Sequence, residues 1–103
     1  MTTTTRKRLR KNPLSVSGLS KNGPVVAGFF TLVDGQGIPL EDVIHHFRDN
    51  DLVPDWPSFF GEAVARGWNP QSTLTKIHAA CEDAYGSKHA DIVVFKLKER
   101  SGL

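Results

Sequence analysis

A run of polar side chains in residues 71–76 could make hydrogen bonds to a polar or charged partner. The run follows "GWNP", and the next acidic residue after it is Glu82. Amide, hydroxyl and ammonium groups are the side-chain types that contact base edges and phosphate oxygens in nucleic acids. The sequence therefore indicates a nucleic-acid contact here. The candidate contact residues are Gln71, Ser72, Thr73, Thr75 and Lys76.

A second candidate site is the basic run "RKRLRK" near the amino terminus. Six of the 13 basic residues lie within residues 1–22, whereas all 11 acidic residues come later. Basic side chains that neutralise phosphates release bound counterions, which makes association depend on salt. The same composition also suits a solvated tail or an acidic protein partner. The candidate phosphate contacts are Arg6, Lys7, Arg8, Arg10 and Lys11.

The polar run is expected at the start of a helix. Asn69 suits the N-cap and Pro70 the first helical position, where a missing N–H costs nothing. Apolar residues then recur at helical spacing. They are Leu74, Ile77, Cys81 and Ala84, and Gly86 ends the pattern. A preceding helix, capped by Asp55, is expected to end at Gly67.

The segment "EAVARGWNPQSTLTKIHAA", residues 62–80, resembles the helix-turn-helix of DNA-binding proteins. Ala63 stands for the small residue of the first helix, Gly67 for the turn glycine and Trp68 for the apolar plug. Leu74 and Ile77 stand for the buried pair of the second helix. The resemblance implies that the polar residues after Pro70 face a DNA groove, and that sequence-specific binding requires a homodimer. An ordinary corner between two bundle helices is the alternative for this segment.

Metal and catalytic sites are not expected. His78 and Cys81 are three residues apart on one predicted helix, but a structural zinc site needs four converging ligands. Only the adjacent pair His45 and His46 could complete it, and Cys81 lies on the apolar stripe. Residues 49–60 lack the glycine and glutamate of a hand-type calcium loop. Since no nucleotide-binding or nucleophile-elbow pattern is present either, we expect no enzyme and no cofactor.

Length and composition limit the class of protein. A chain of 103 residues suits one domain, and one cysteine cannot form an internal disulfide, which favours a reducing compartment. No apolar stretch approaches the roughly 20 residues of a membrane span. We therefore expect a cytoplasmic protein without membrane contact. Its expected parts are a flexible basic arm, residues 1–22, and a single helical domain, residues 23–103.

Helical patterns dominate the middle of the chain, whereas two segments are ambiguous. Leu40, Val43, Ile44 and Phe47 follow the spacing of one helix face behind Pro39. Residues 25–33 and 91–97 fit a helix face too, but both are rich in β-forming residues. We expect an all-α fold, a small bundle of about five short helices with a disordered basic N-terminal arm. The alternative is an α+β fold with a two-stranded sheet from residues 25–33 and 91–97.

These features together predict a small, non-enzymatic nucleic-acid-binding protein with a regulatory or accessory role, such as transcription regulation. DNA is favoured over RNA as the partner. The alternative is a protein–protein adaptor or inhibitor that binds through Trp56 and an acidic face. The residues of that face would be Glu41, Asp42, Asp49, Asp51, Asp55 and Glu62.

Overall fold

In the computed structural model, which describes residues 13–103, a β-hairpin precedes the helices. Strand β1 (Ser15–Ser20) pairs antiparallel with β2 (Gly23–Ala27). A short strand, β3 (Val53–Pro54), then pairs parallel to β2 and completes a three-stranded sheet of order β1-β2-β3. The sheet is therefore mixed and has β2 at its centre.

Five helices make up most of the described chain. They are α1 (Phe30–Asp34), α2 (Leu40–Asp49), α3 (Trp56–Ala65), α4 (Pro70–Tyr85) and α5 (Ser87–Ser101). Helix α4 packs most extensively against α5 and α2, and less extensively against α3. Helix α4 thus lies between α2 and α5 and contacts both.

The all-α expectation is wrong, because the hairpin and β3 make the fold α+β. The fold class of the α+β alternative is confirmed, although only part of one of its two expected segments forms a strand. Residues 91–97 lie within α5, and residues 25–33 change from strand to helix partway. Gly28 causes that change: its φ is +93°, and a Cβ there would collide with the carbonyl oxygen of Pro13. The φ of Gly28 is not helical, so the helix begins only after this residue, at Phe30.

Part of the segment expected as a flexible arm, residues 1–22, belongs to the sheet. Residue 22 lies in the turn between β1 and β2, so residues 15–20 belong to the sheet. Strand β1 buries little apolar surface, since Val16 and Leu19 are both exposed. Its pairing with β2 and the hydrogen bond from Ser17 Oγ to Asp55 Oδ2 (2.7 Å) hold it in place. The low apolar content of this segment therefore did not predict strand β1.

The helical predictions for the middle of the chain are confirmed. Leu40, Val43, Ile44 and Phe47 are all buried in α2. The Asp55 side chain caps α3 by accepting a hydrogen bond from the Ser58 N–H. Asn69 caps α4 in the same way, accepting from the Ser72 N–H at 2.9 Å. Side-chain capping thus sets where α3 and α4 begin.

One aromatic cluster joins the elements. Phe29, fully buried at the junction of β2 and α1, stacks on Phe59 of α3 with ring centroids 4.9 Å apart. It also meets Phe47 of α2 edge-on at 5.2 Å and Trp56 of α3 at 5.4 Å. The core therefore sits between the sheet and helices α2 and α3, and α4 and α5 extend it through Leu74, Ile77, Ala90 and Leu97.

Candidate nucleic-acid interface

The junction between α3 and α4 is a short turn centred on Gly67. Gly67 adopts φ +95°, a conformation that favours glycine. Ala63 is fully buried, and its carbonyl oxygen accepts a hydrogen bond from the Trp68 N–H at 2.9 Å. The Trp68 ring packs edge-on against Phe30 at 5.1 Å. Together with the buried Leu74 and Ile77, these contacts fix how α4 leaves the corner.

Four of the five polar residues predicted on α4 are exposed. Gln71, Ser72, Thr75 and Lys76 occupy the first two turns of α4 and face solvent. Thr73 does not: its side chain is 0% exposed, and its hydroxyl donates to the Asn69 carbonyl oxygen at 2.7 Å. The prediction that Thr73 is available to a partner is therefore wrong. Thr73 lies on the side of α4 that faces the core, beside Leu74 and Ile77. Its hydroxyl therefore bonds to the backbone of its own helix.

The exposed residues of α4 lie on a ridge between two neighbouring helices. Gln71 and Thr75 line a groove of about 340 Å³ on the α5 side, together with Lys98. Lys76 lines a smaller hollow of about 260 Å³ on the other flank, together with Glu41 of α2. The structure thus brings the four residues onto one helix surface but not into one pocket. A partner would contact them by lying across α4.

Histidine–aspartate pairs fix the two flanks of α4. The Nε2–H of His45 on α2 donates to Asp83 Oδ2 at 2.6 Å, and the Nε2–H of His78 donates to Asp91 Oδ1 of α5 at 2.7 Å. Both pairs link α4 to a neighbouring helix. Two other carboxylates line the flanking hollows: Glu82 in the groove with Gln71 and Thr75, and Glu41 in the hollow with Lys76. No local sequence pattern reveals these pairs, because each joins residues that only helix packing brings together.

The basic charge available near α4 is limited within the described residues. Arg66, in the turn before α4, lies 3.7 Å from the Asp34 carboxylate. Lys76 makes no ion pair within residues 13–103. The predicted phosphate contacts, from Arg6 to Lys11, lie outside the described residues. Lys76 is therefore the cation on α4 best placed to meet a phosphate.

The adaptor alternative depended on an exposed Trp56, and the structure places this residue differently. Trp56 is only 5% exposed and packs against Phe29 and Phe59. Asp55 is occupied as the cap of α3 and as acceptor for Ser17. Neither residue is free to contact a partner, whereas the other acidic residues of that face are exposed: Glu41, Asp42, Asp49, Asp51 and Glu62. Helical spacing gives no signal for the burial of a residue that, like Trp56, lies at the start of a helix.

A cavity of about 490 Å³ lies beside Trp56, between β3 and the corner that joins α4 to α5. Its walls include Arg48, Tyr85 and His89, with the Tyr85 and His89 rings 4.6 Å apart. Burial raises the pKa of Tyr85, to which Cys81 adds, and burial lowers the pKa of His89. Both shifts favour neutral rings. The Trp56 indole N–H is buried and has no hydrogen-bond partner among the described residues.

Residues 13–103 also lack two other classes of site. No group of three or more His, Cys, Asp or Glu side chains there could hold a metal ion. No helix in that part of the chain is both long and apolar enough to cross a membrane. A comparison of the chain with protein-family models, curated proteins and solved structures returned no match.

Proposed function

We propose that this chain binds nucleic acid without catalysing a reaction, with duplex DNA preferred over RNA. The observation that carries the proposal is the exposed first half of α4. There, Gln71, Ser72, Thr75 and Lys76 are exposed on a helix that follows a turn with a positive-φ glycine, Gly67. Amide and hydroxyl groups at the amino-terminal end of such a helix suit base-edge and phosphate contacts.

The helix itself contributes to this site. The amino-terminal end of α4 carries partial positive charge from its unpaired backbone N–H groups, and the Asn69 cap satisfies one of them. No acidic side chain lies within the first two turns, and Glu82 and Asp83 come only in the last turns. The field at the start of α4 therefore favours a phosphate. An acidic protein surface would meet the same field but would not need the amide of Gln71.

The basic run supplies the remaining affinity in this proposal. Arg6, Lys7, Arg8, Arg10 and Lys11 precede the first described residue by only a few positions. Each phosphate that they neutralise would add about 0.9 to the slope of log affinity against log salt. The run would therefore give salt-dependent, sequence-independent binding, and α4 would give the preference among sequences.

The proposal is tested by fluorescence anisotropy of labelled duplex DNA and single-stranded RNA, titrated with the full chain across a salt series. Lys76→Gln should weaken binding to all sequences and reduce the salt slope by about one. Replacing both Gln71 and Thr75 by alanine should reduce the preference among duplex sequences. Replacing the five basic residues of 6–11 by glutamine should remove most of the salt dependence.

Matched controls separate the site from general effects. Lys21→Gln removes one exposed cation from the hairpin turn, and Thr31→Ala removes one exposed hydroxyl from α1. Both variants should bind like the unaltered chain. Absence of salt-dependent binding to either nucleic acid would contradict the proposal as a whole. Unchanged binding by the α4 variants would leave only a nonspecific basic arm and would reject α4 as the reading element.

A further inference from the structure

Helix α5 has one face in the core and an opposite face that no other element of residues 13–103 covers. Ala90 and Leu97 are buried, and Val93 and Val94 pack beside them. The opposite face carries Lys88, Ile92, Phe95 and Glu99, all exposed, with spacings of four, three and four residues. This spacing places the four side chains in one line along the helix, as in the contact seam of a helix pair. We call these four residues the α5 stripe.

The centre of the α5 stripe is apolar and its ends are charged. Ile92 is 50% exposed and Phe95 is 62% exposed, although they lie one turn apart on an ordered helix. Neither Lys88 nor Glu99 forms an ion pair within residues 13–103. An apolar pair with an unpaired cation at one end and an unpaired anion at the other has the make-up of an uncovered helix contact.

This order of residues is complementary to itself in only one orientation. In an antiparallel pair of α5 helices, with a twofold axis midway between Ile92 and Phe95, each Ile92 faces a Phe95. The same axis brings each Lys88 opposite a Glu99, so two opposite-charge contacts flank two apolar ones. A parallel pair would instead place each charge against its own copy. Twofold contacts of this kind use one surface twice.

We infer that a second copy of this chain docks on the α5 stripe and forms an antiparallel helix pair. The contact is small, because a standard interface buries about 800 Å² per partner and the stripe offers four side chains. The dimer is therefore reversible and depends on concentration. The inference rests on α5 alone and does not depend on nucleic-acid binding.

Sedimentation velocity of the full chain over a concentration series measures the association directly. The sedimentation coefficient should rise with concentration for the unaltered chain. Phe95→Ser, which removes an apolar contact from both copies, should raise the dimer dissociation constant about tenfold or more. The matched control is Leu19→Ser, which removes an exposed apolar side chain from β1. It should leave the dissociation constant unchanged.

Charge reversal tests the orientation of the pair. Lys88→Glu and Glu99→Lys should each weaken self-association, because each brings like charges together at both ends of the contact. An equimolar mixture of the two variants should associate again, since their stripes are then complementary. This recovery requires that both variants are folded, so a loss caused by unfolding would not reproduce it. Low ionic strength keeps the charge effect measurable.

Several outcomes would overturn the inference. A chain that stays monomeric at all concentrations would reject the second copy as the occupant, even if another protein bound α5. Dissociation caused by Leu19→Ser would assign the contact to the edge of the sheet. A mixture of the two charge variants that stays monomeric would reject the antiparallel register.

Discussion

The carboxylate of Asp55 contacts both the sheet and helix α3. Its Oδ1 accepts from the Ser58 N–H at 3.1 Å, and its Oδ2 accepts from the Ser17 hydroxyl at 2.7 Å. The Asp55 N–H donates to the Val26 carbonyl oxygen at 2.9 Å. One residue therefore starts α3 and ties that start to β1 and β2. The Asp55 side chain, which the adaptor alternative places on an acidic contact face, thus has a structural role.

Replacing Asp55 by alanine should lower the free energy of unfolding by about 1–2 kcal/mol, because the cap of α3 and the bond to Ser17 are both lost. Asp55→Asn keeps one side-chain oxygen for the cap and should cost less. Urea denaturation followed by circular dichroism measures both. Equal losses for the two variants would show that the cap is not the main contribution.

Cys81 is a second residue whose burial leads to a testable prediction. It is fully buried on the apolar side of α4, and burial raises the pKa of its thiol from 9.0 to about 12. The folded chain therefore holds the thiol protonated where an unfolded chain would begin to ionise it. The contribution of the protonated Cys81 thiol to the free energy of unfolding is fully present below pH 9. It is lost as the pH rises toward 12.

Iodoacetamide should therefore leave Cys81 unmodified in the folded chain at pH values near 8 and modify it after addition of denaturant. Mass spectrometry of the intact chain reads the outcome. The matched control is the same reaction on the free amino acid, which proceeds under both conditions. Rapid alkylation of the native chain would mean that α4 opens locally more often than its packing implies.

Among the elements, the turn between α3 and α4 uses Gly67 for its backbone angle and not for a close approach of another atom. Gly67 has φ +95°, yet a Cβ added there would meet no atom within 4 Å. Gly61 lies within α3, and a Cβ there would also meet no atom within 4 Å. The two glycines therefore differ in backbone angle while sharing open surroundings.

This contrast gives a paired prediction. Gly67→Ala should destabilise the chain by about 1 kcal/mol, because an L-residue is strained at positive φ. Gly61→Ala should stabilise it by about 0.5–1 kcal/mol, because alanine restricts the unfolded chain and suits a helix interior. Thermal and urea unfolding of both variants measure the difference. Changes of the same sign would contradict the assigned turn geometry.

At the scale of the whole molecule, one aromatic cluster holds the sheet and the helices together. Phe29 contacts Phe47, Trp56 and Phe59, which belong to α2 and α3. By contrast, the histidine–aspartate pairs at the flanks of α4 are partly exposed, and exposed pairs contribute about 0–1 kcal/mol. Apolar packing therefore dominates the stability of the arrangement, and the ion pairs adjust it.

Phe29→Ala should accordingly lower the free energy of unfolding by about 3–5 kcal/mol, a large part of the 5–15 kcal/mol typical of a domain. Phe95→Ala, on the outer face of α5, should change it by less than about 0.5 kcal/mol. Both are measured by chemical denaturation at low protein concentration, where self-association does not contribute. A large loss for Phe95→Ala under these conditions would place that ring in the monomer core.

Local chemistry alone determined much of the helical part of this molecule. The apolar spacing of Leu40 to Phe47, the caps Asp55 and Asn69, and the turn at Gly67 were all predictable, because each depends on residues within a few positions. The exposure of Gln71, Ser72, Thr75 and Lys76 followed from the same periodicity. Thr73 was wrongly predicted to be exposed. Helical spacing does not give the width of the buried face of α4, which is contacted by α2, α3 and α5.

The tertiary structure alone decided the sheet and the surfaces between elements. Strand β1 has few buried side chains, and it is ordered because β2 supplies hydrogen-bond partners and Asp55 holds Ser17. The break at Gly28 depends on the approach of Pro13, which no local pattern reveals. The pairs His45–Asp83 and His78–Asp91 likewise join residues distant in sequence. Local patterns specify helices because their contacts are short-range, whereas strand pairing and helix–helix contacts form only when the whole chain is packed.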